Sequence, residues 1–192
     1  MKLITLLDRK DGEQMKVFQT QLQGLLNKYE EYEDKTEDFA RIISQTIISD
    51  GQLWIYGEKE MHGITDQALS GTDALPTIME AVPDSAFSSL DTILIWSPDP
   101  LSEDAHKIAS AAKKAGAQVL GFTSDLNKNK EEEVQGDLWQ EECSMFLSTG
   151  VKGGLVPTEE GNRIGAPHLL TALHLYYLVF FNVMEFLEEH EM

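Results

Sequence analysis

Four short runs of consecutive apolar residues constrain the fold of this chain more than any other feature. Strands that expose one face to water alternate apolar and polar residues, whereas strands covered on both faces are continuously apolar. The runs therefore predict a parallel β-sheet with helices on both faces. A fifth segment, 75–79, is predicted to be an edge strand because Pro76 cannot donate a hydrogen bond within a sheet. The four runs are residues 52–57, 92–96, 119–123 and 145–149.

The first quarter of the chain has the pattern of a helical hairpin. Apolar residues between Met15 and Tyr29 fall on one helical face, and a second helix is predicted from near Asp34 to a C-cap at Gly51. Residues 1–12 precede these patterns and are predicted to form a short strand or an ordered tail.

Two further helices are predicted from their end signals and composition. Ser102 is a good N-cap and Gly116 a good C-cap for a helix between two of the strands, which makes a βαβ unit. An apolar helix begins near Ala166 and approaches the length of a membrane span. Polar residues interrupt it and no Lys or Arg follows Arg163, so we predict a core or subunit-interface helix buried on nearly all sides.

Charge and cysteine content exclude several classes of protein. Fifteen Lys and Arg against 33 Asp and Glu give a net charge of −18, which disfavours binding to nucleic acid or to an anionic membrane surface. The single Cys143 cannot form an intrachain disulfide. The apolar run at the N-terminus is too short for a signal peptide. We expect one cytoplasmic domain over residues 1–192, with no metal site and no cofactor.

A ligand site is predicted at the carboxyl ends of the strands, where open parallel sheets bind small molecules. Three loops lie there: residues 57–62, 97–102 and 123–125. The second loop also opens a helix, whose free amides and dipole favour an anion.

Three segments carry a combined pattern: residues 51–57, 91–97 and 112–124, the last an alanine-rich helix followed by Ala-Gly-Ala and a strand into Thr-Ser. Together they resemble the SIS (sugar isomerase) domain, most closely the phosphoheptose-isomerase-like proteins and an uncharacterised SIS-like family of Gram-positive bacteria. The resemblance covers 35–187, with 1–34 as an N-terminal extension and first helix. It implies a flavodoxin-like three-layer α/β fold with a five-stranded parallel sheet. It also implies a homodimer or homotetramer and a phosphosugar site.

The loops depart from the pattern of that family. The first loop keeps only Gly57 of its small residues. In the second, Ser97 and Ser102 match the phosphate cradle, but Pro98 removes an amide donor and Asp99 adds a negative charge. A carboxylate about 4 Å from a phosphate costs on the order of 1–4 kcal/mol. We therefore expect Asp99 to weaken or abolish phosphosugar binding in the usual mode.

The candidate residues follow from these loops and from the histidines. His168 and His174 are six residues apart and do not share a helical face, so no metal site is expected there, and His174 is expected to be buried. Weak catalytic candidates, as an isomerase base, are Glu58, His62 and His168. Lys59 and Arg163 are expected to be anion partners, with Lys152 a weaker one. The ligand-binding candidates are Gly57, Lys59, Ser97, Ser102, Thr123 and Ser124.

Three functions remain open from the sequence. The favoured one is a non-catalytic or regulatory protein that binds a sugar phosphate or related metabolite. A phosphosugar isomerase of the aldose–ketose type is the second. The third is a structural protein that has lost the site and oligomerises through its apolar C-terminal helix.

Overall fold

The computed structural model describes residues 2–125 and 138–191. Within them the helices are α1 (Lys2–Leu26), α2 (Glu33–Ile48), α3 (His62–Ser70), α4 (Glu103–Ala115) and α5 (His168–Glu191). The strands are β1 (Leu53–Gly57), β2 (Ile78–Glu80), β3 (Thr92–Ser97), β4 (Gln118–Thr123), β5 (Met145–Ser148), β6 (Val156–Pro157) and β7 (Arg163–Ile164).

Five parallel strands form the central sheet in the order β2-β1-β3-β4-β5. The predicted α/β fold is confirmed, and the four apolar runs match strands to within one residue at each end. A strand lies at this edge of the sheet as predicted, but it spans Ile78–Glu80 and not 75–79, so Pro76 lies outside it. Strands β6 and β7 form a separate antiparallel pair within the loop that leads to α5.

Helices cover both faces of this sheet, which explains why its strands are continuously apolar. On one face α2, α3 and α5 pack on a core in which the Trp96 and Phe122 rings stack at 3.6 Å and Phe39 meets Phe122 edge-on at 5.1 Å. On the other face α4 packs its alanines and Ile108 on β3 and β4, beside the buried Trp139. The core therefore consists of two apolar layers separated by the sheet.

The predicted end signals of α4 are confirmed. The Ser102 hydroxyl accepts a hydrogen bond from the Ala105 amide at 3.2 Å, and Gly116 adopts a left-handed conformation with φ of 86°. These two caps place the start of α4 directly after the carboxyl end of β3, where a ligand site is predicted.

Two predictions at the N-terminal end were wrong. Residues 2–12 form neither a strand nor a tail but belong to α1, which continues without a break from Lys2 to Leu26. Gly51 does not cap α2, which ends at Ile48 with Ser49 as its C-cap. A Cβ atom at Gly51 would overlap the backbone carbonyl of Leu90, so this glycine permits a close approach of two chain segments.

The C-terminal helix is less buried than its composition predicted. Leu170 is 48% exposed and Phe181 63% exposed, and His174, expected in the core, is exposed beside the Tyr29 ring. Among the described helices, the segment His168–His190 is long and apolar enough to cross a membrane, and 33% of its most apolar window is buried. The buried side of α5 packs mainly on α2 and α3, which makes it a core helix with one uncovered side.

Candidate functional site

Gly57 ends β1 and allows the chain to turn sharply into the next loop. A Cβ atom there would lie 2.6 Å from the Thr65 hydroxyl and 2.8 Å from the Met61 carbonyl oxygen. The amide of Glu58 donates to the Trp96 carbonyl at 3.1 Å, which continues the pairing of β1 with β3 by one residue. Gly57 therefore positions Glu58 and does not itself face an open cavity.

The Glu58 carboxylate occupies the position where the loop hydroxyls were expected to meet a ligand. It accepts hydrogen bonds from the hydroxyls of Ser97, Ser102 (2.8 Å) and Tyr56 (3.3 Å). Burial, together with the nearby charge of Glu58, raises the pKa of the Tyr56 phenol and keeps it a donor. The hydroxyls of Ser97 and Ser102 therefore already have an anionic partner from within the chain.

Asp99 has a different role from the one that its position suggested. Its carboxylate forms an ion pair with Lys59 at 2.8 Å and accepts the Leu101 amide at 3.0 Å. Its carbonyl oxygen accepts a hydrogen bond from the Trp139 indole at 3.0 Å. The hydrogen bond to Asp99 raises the pKa of Lys59. The carboxylate bonded to the serine hydroxyls is thus that of Glu58, which the sequence did not single out for this position.

The ends of β4 and β5 contribute a second polar cluster. The Ser124 hydroxyl lies 2.8 Å from Nδ1 of His168 and 3.1 Å from the Thr149 hydroxyl. Burial lowers the pKa of His168, so its neutral form dominates at neutral pH. Asp125 accepts a hydrogen bond from the Ser148 hydroxyl and lies 3.6 Å from the Lys152 ammonium group.

These groups surround a crevice of about 340 Å³ at the carboxyl ends of the strands, a size typical of small-molecule sites. Cations and carboxylates alternate around it, in the pairs Lys59–Asp99 and Lys152–Asp125. Such a surface offers both donors and acceptors to a polar ligand. The polar lining comprises Lys59, Glu60, Asp99, Ser124, Asp125, Lys152 and His168.

The structure brings only part of the predicted set together in this crevice. Lys59, Ser124 and His168 line it. His62 is exposed outside it, and its Nδ1 lies 3.1 Å from the Gly57 carbonyl, an acceptor, so that nitrogen carries the proton. The predicted residues that do not line it are Gly57, Glu58, His62, Ser97, Ser102, Thr123 and Arg163.

Two residues that line the crevice are absent from the ligand-binding set predicted from the sequence. Asp125 directly follows the predicted strand β4, and Lys152 lies in the glycine-rich segment after β5. Both follow the carboxyl end of a strand, which is the signal that could have identified them.

Comparison with known proteins places the chain in a family. Residues 15–187 match the family described as a domain of unknown function (DUF2529). The chain belongs to this family. It is also 28% identical over 179 residues to the uncharacterized protein YwjG of Bacillus subtilis (strain 168), a match that covers 92% of this chain and 99% of that protein.

Solved structures share the fold at low sequence identity. A hypothetical protein of Methanococcus jannaschii, with an inferred function of 3-hexulose-6-phosphate isomerase, is 14% identical with a TM-score of 0.64, over 92% of each chain. The C-terminal domain of the Francisella tularensis glucosamine-fructose-6-phosphate aminotransferase is 14% identical with a TM-score of 0.51. That match covers 85% of this chain and 43% of the other. The architecture is therefore SIS-like, as the sequence predicted.

Proposed function

We propose that this protein binds a small polar metabolite, a sugar phosphate or a related compound, in the strand-end crevice and does not convert it. The observation that carries the proposal is the convergence of Lys59, Lys152 and the Ser124–His168 pair on one cavity of suitable size. Ammonium groups bind phosphate oxygens, and the carboxylates beside them accept hydrogen bonds from sugar hydroxyls.

The SIS-like fold supports this proposal. Two structural relatives are proteins whose names refer to phosphorylated sugars. We infer that residues 1–192 form one SIS-type domain with its core at 35–187. In this domain the phosphate of a ligand lies beside Lys59 and Lys152, because the serine hydroxyls of the usual cradle are bonded to Glu58.

Two of the three candidate bases, Glu58 and His62, lie outside the crevice, which supports binding without turnover. Glu58 accepts hydrogen bonds from three hydroxyls and does not line the crevice, and His62 is exposed outside it. A general base must reach the proton that it removes, which neither side chain does from these positions.

His168 supports a second candidate function, an isomerase of phosphorylated sugars. It lines the crevice, its Nδ1 is bonded to Ser124, and burial favours the neutral form that can accept a proton. In an aldose–ketose isomerisation its Nε2 would remove a proton from the carbon beside the carbonyl.

Thermal denaturation with a panel of sugar phosphates, amino-sugar phosphates and nucleotides tests binding, with and without zinc. A ligand at 100 times its dissociation constant stabilises the fold by about 2.7 kcal/mol. Lys59→Ala should abolish the shift and Lys107→Ala should preserve it, because Lys107 is also an exposed, ion-paired lysine but lies on α4. If no compound of the panel stabilised the protein, the result would contradict the proposal and favour a structural protein without a site.

A turnover assay separates the two binding functions. Any sugar phosphate that binds is incubated with the protein in deuterated water and followed by NMR. No change in the sugar is expected. Isomerisation that is lost in His168→Gln would establish the enzyme instead.

A further inference from the structure

A second cavity, of about 610 Å³, adjoins the crevice between the end of α1 and the loop that follows β5. Its charged lining consists of Lys28, Lys152 and Arg163, and among the described residues no Asp or Glu lines it. Such a concentration of positive charge is unexpected in a chain of net charge −18. The charge pattern indicates an anionic ligand.

Three consecutive backbone amides in this lining lack hydrogen-bond acceptors. The amides of Lys152, Gly153 and Gly154 donate to no acceptor in the described part of the chain. Their neighbours are satisfied: the amides of Gly150 and Val151 donate to the hydroxyls of Ser148 and Thr149, and that of Leu155 donates to the Gly165 carbonyl. The amides without an acceptor in the described residues are therefore three consecutive ones within the cavity lining.

Gly153 and Gly154 give this segment its shape. Gly153 has φ of 144°, a conformation that side chains rarely adopt, and a Cβ atom at Gly154 would lie 2.5 Å from the backbone of Arg163. Backbone amides with no protein acceptor are donors available to an anion. Because residues 153 and 154 are glycines, no side chain stands between their amides and the cavity that they line.

Arg163 is held against the same loop by its own hydrogen bonds. Its Nε donates to the Gly154 carbonyl at 2.8 Å and its Nη2 donates to the Leu155 carbonyl at 2.7 Å. These bonds fix the guanidinium group, which retains its charge and a further donor nitrogen. Lys28 also lines the cavity, from the segment after α1, and it forms no ion pair with any residue that the structure describes.

We propose that this cavity is a second binding site, specific for the phosphate group or a similar oxyanion of a small molecule. Backbone amides, a fixed guanidinium and ammonium groups together form the donor set that recognises phosphate. Lys28, Gly154 and Arg163 line this cavity and not the crevice. The two cavities share Val151, Lys152 and Gly153, and Lys152 also lies 3.6 Å from Asp125 of the crevice. It is formed by a loop outside the three strand-end loops in which a ligand was predicted.

The test is an NMR titration of the full-length ¹⁵N-labelled protein with inorganic pyrophosphate, with ionic strength held constant by sodium chloride. Saturable shifts of the amides of residues 152–154 are expected. Lys28→Gln and Arg163→Gln should each weaken binding by about tenfold or more, as the loss of a charge-assisted contact predicts. Lys107→Gln is the matched control and should leave the affinity unchanged.

Lys28→Gln decides the outcome if Arg163→Gln disturbs the β6–β7 pair, because Lys28 is exposed and has no role in that pair. Shifts that do not saturate, or an affinity that Lys28→Gln leaves unchanged, would overturn the site. Saturable shifts confined to Ser124 and His168 would also overturn it while supporting the crevice. Shifts at 152–154 without any at Ser124 or His168 would support the second site alone.

Discussion

The Ser102 hydroxyl donates a 2.8 Å hydrogen bond to the Glu58 carboxylate and at the same time accepts the Ala105 amide that begins α4. One hydroxyl therefore connects the loop after β1 to the first turn of a helix 44 residues later. In a loop whose sequence resembles a phosphate cradle, the Ser102 hydroxyl therefore holds two segments of the chain together.

Glu58→Ala should destabilise the protein by about 1–3 kcal/mol, because it leaves the buried Ser102 hydroxyl without its acceptor and leaves the Ser97 hydroxyl only the Asp99 carbonyl. Urea unfolding followed by circular dichroism measures the change. Glu60→Ala, an exposed carboxylate two residues away, is the control and should change stability little. Equal effects of the two substitutions would show that the hydrogen bonds to Glu58 contribute nothing.

The negative charge of Glu58 should also weaken phosphate binding at the loop formed by residues 97–102. Glu58→Gln removes the negative charge beside the serine hydroxyls, so phosphosugar binding at the loop should improve in calorimetry. Asp99→Ser is the informative comparison: it breaks the ion pair with Lys59, and binding should weaken or stay the same. Improvement with Asp99→Ser alone would restore the expectation that Asp99 excludes phosphate.

His168 should titrate below its ordinary pKa of 6.5, because burial disfavours its charged form. The lowered pKa means that the folded state takes up this proton less readily than the unfolded state. The contribution of neutral His168 to the free energy of unfolding is therefore complete above pH 6.5. The protein loses this contribution as the pH falls through 6.5 towards the pKa of His168 in the folded state. NMR titration of the folded and urea-unfolded chains measures the difference. A pKa of His168 that is as high in the folded chain as in the unfolded chain, or higher, would contradict the burial of this side chain.

Two glycine substitutions should have opposite effects on stability. Gly51→Ala should destabilise by about 1–3 kcal/mol because its Cβ atom overlaps the Leu90 carbonyl. Gly24→Ala lies in α1 with no atom within 4 Å of the new Cβ, and it should stabilise by about 0.5–1 kcal/mol. Thermal denaturation of both variants checks the signs, and a neutral Gly51→Ala would argue against the close approach.

The exposed side of α5 should mediate self-association into a homodimer or homotetramer. Phe181→Asp, at a side chain 63% exposed, should convert the oligomer to a monomer in sedimentation velocity at micromolar concentration. Val82→Asp is the matched control, since Val82 is 55% exposed on a loop. A wild-type protein that sediments as a monomer would remove the basis for an interface on α5.

The sheet could be predicted from the sequence because the apolar composition of each strand reflects the burial of both its faces. Burial on both faces requires consecutive apolar residues, so Thr92–Ser97 and Gln118–Thr123 were recognisable without any knowledge of their neighbours. The caps of α4 were recognisable for the same reason, since Ser102 and Gly116 act within one turn of the helix.

Only those site residues that stand directly at the end of a strand or at the start of a helix could be predicted from the sequence. Ser124 and His168 were expected from their places at a strand end and a helix start, and both line the crevice. The contact of Glu58 with Ser97 joins residues 39 apart, and its direction depends on how β1 and β3 pair. The exposure of α5 likewise depends on which of its sides α2 and α3 cover, because its composition is apolar all round.

The second cavity has no carboxylate in its lining among the residues that the structure describes, and this affects how fast an anion can enter. At a distance the net charge of −18 repels an anion, whereas within the cavity Lys28, Lys152 and Arg163 attract it. Salt screens the distant repulsion first, because the Debye length falls from about 30 Å at 0.01 M to about 8 Å at 0.15 M. Association should therefore become faster as salt is added, the reverse of the behaviour of proteins that steer their ligands by an attractive field.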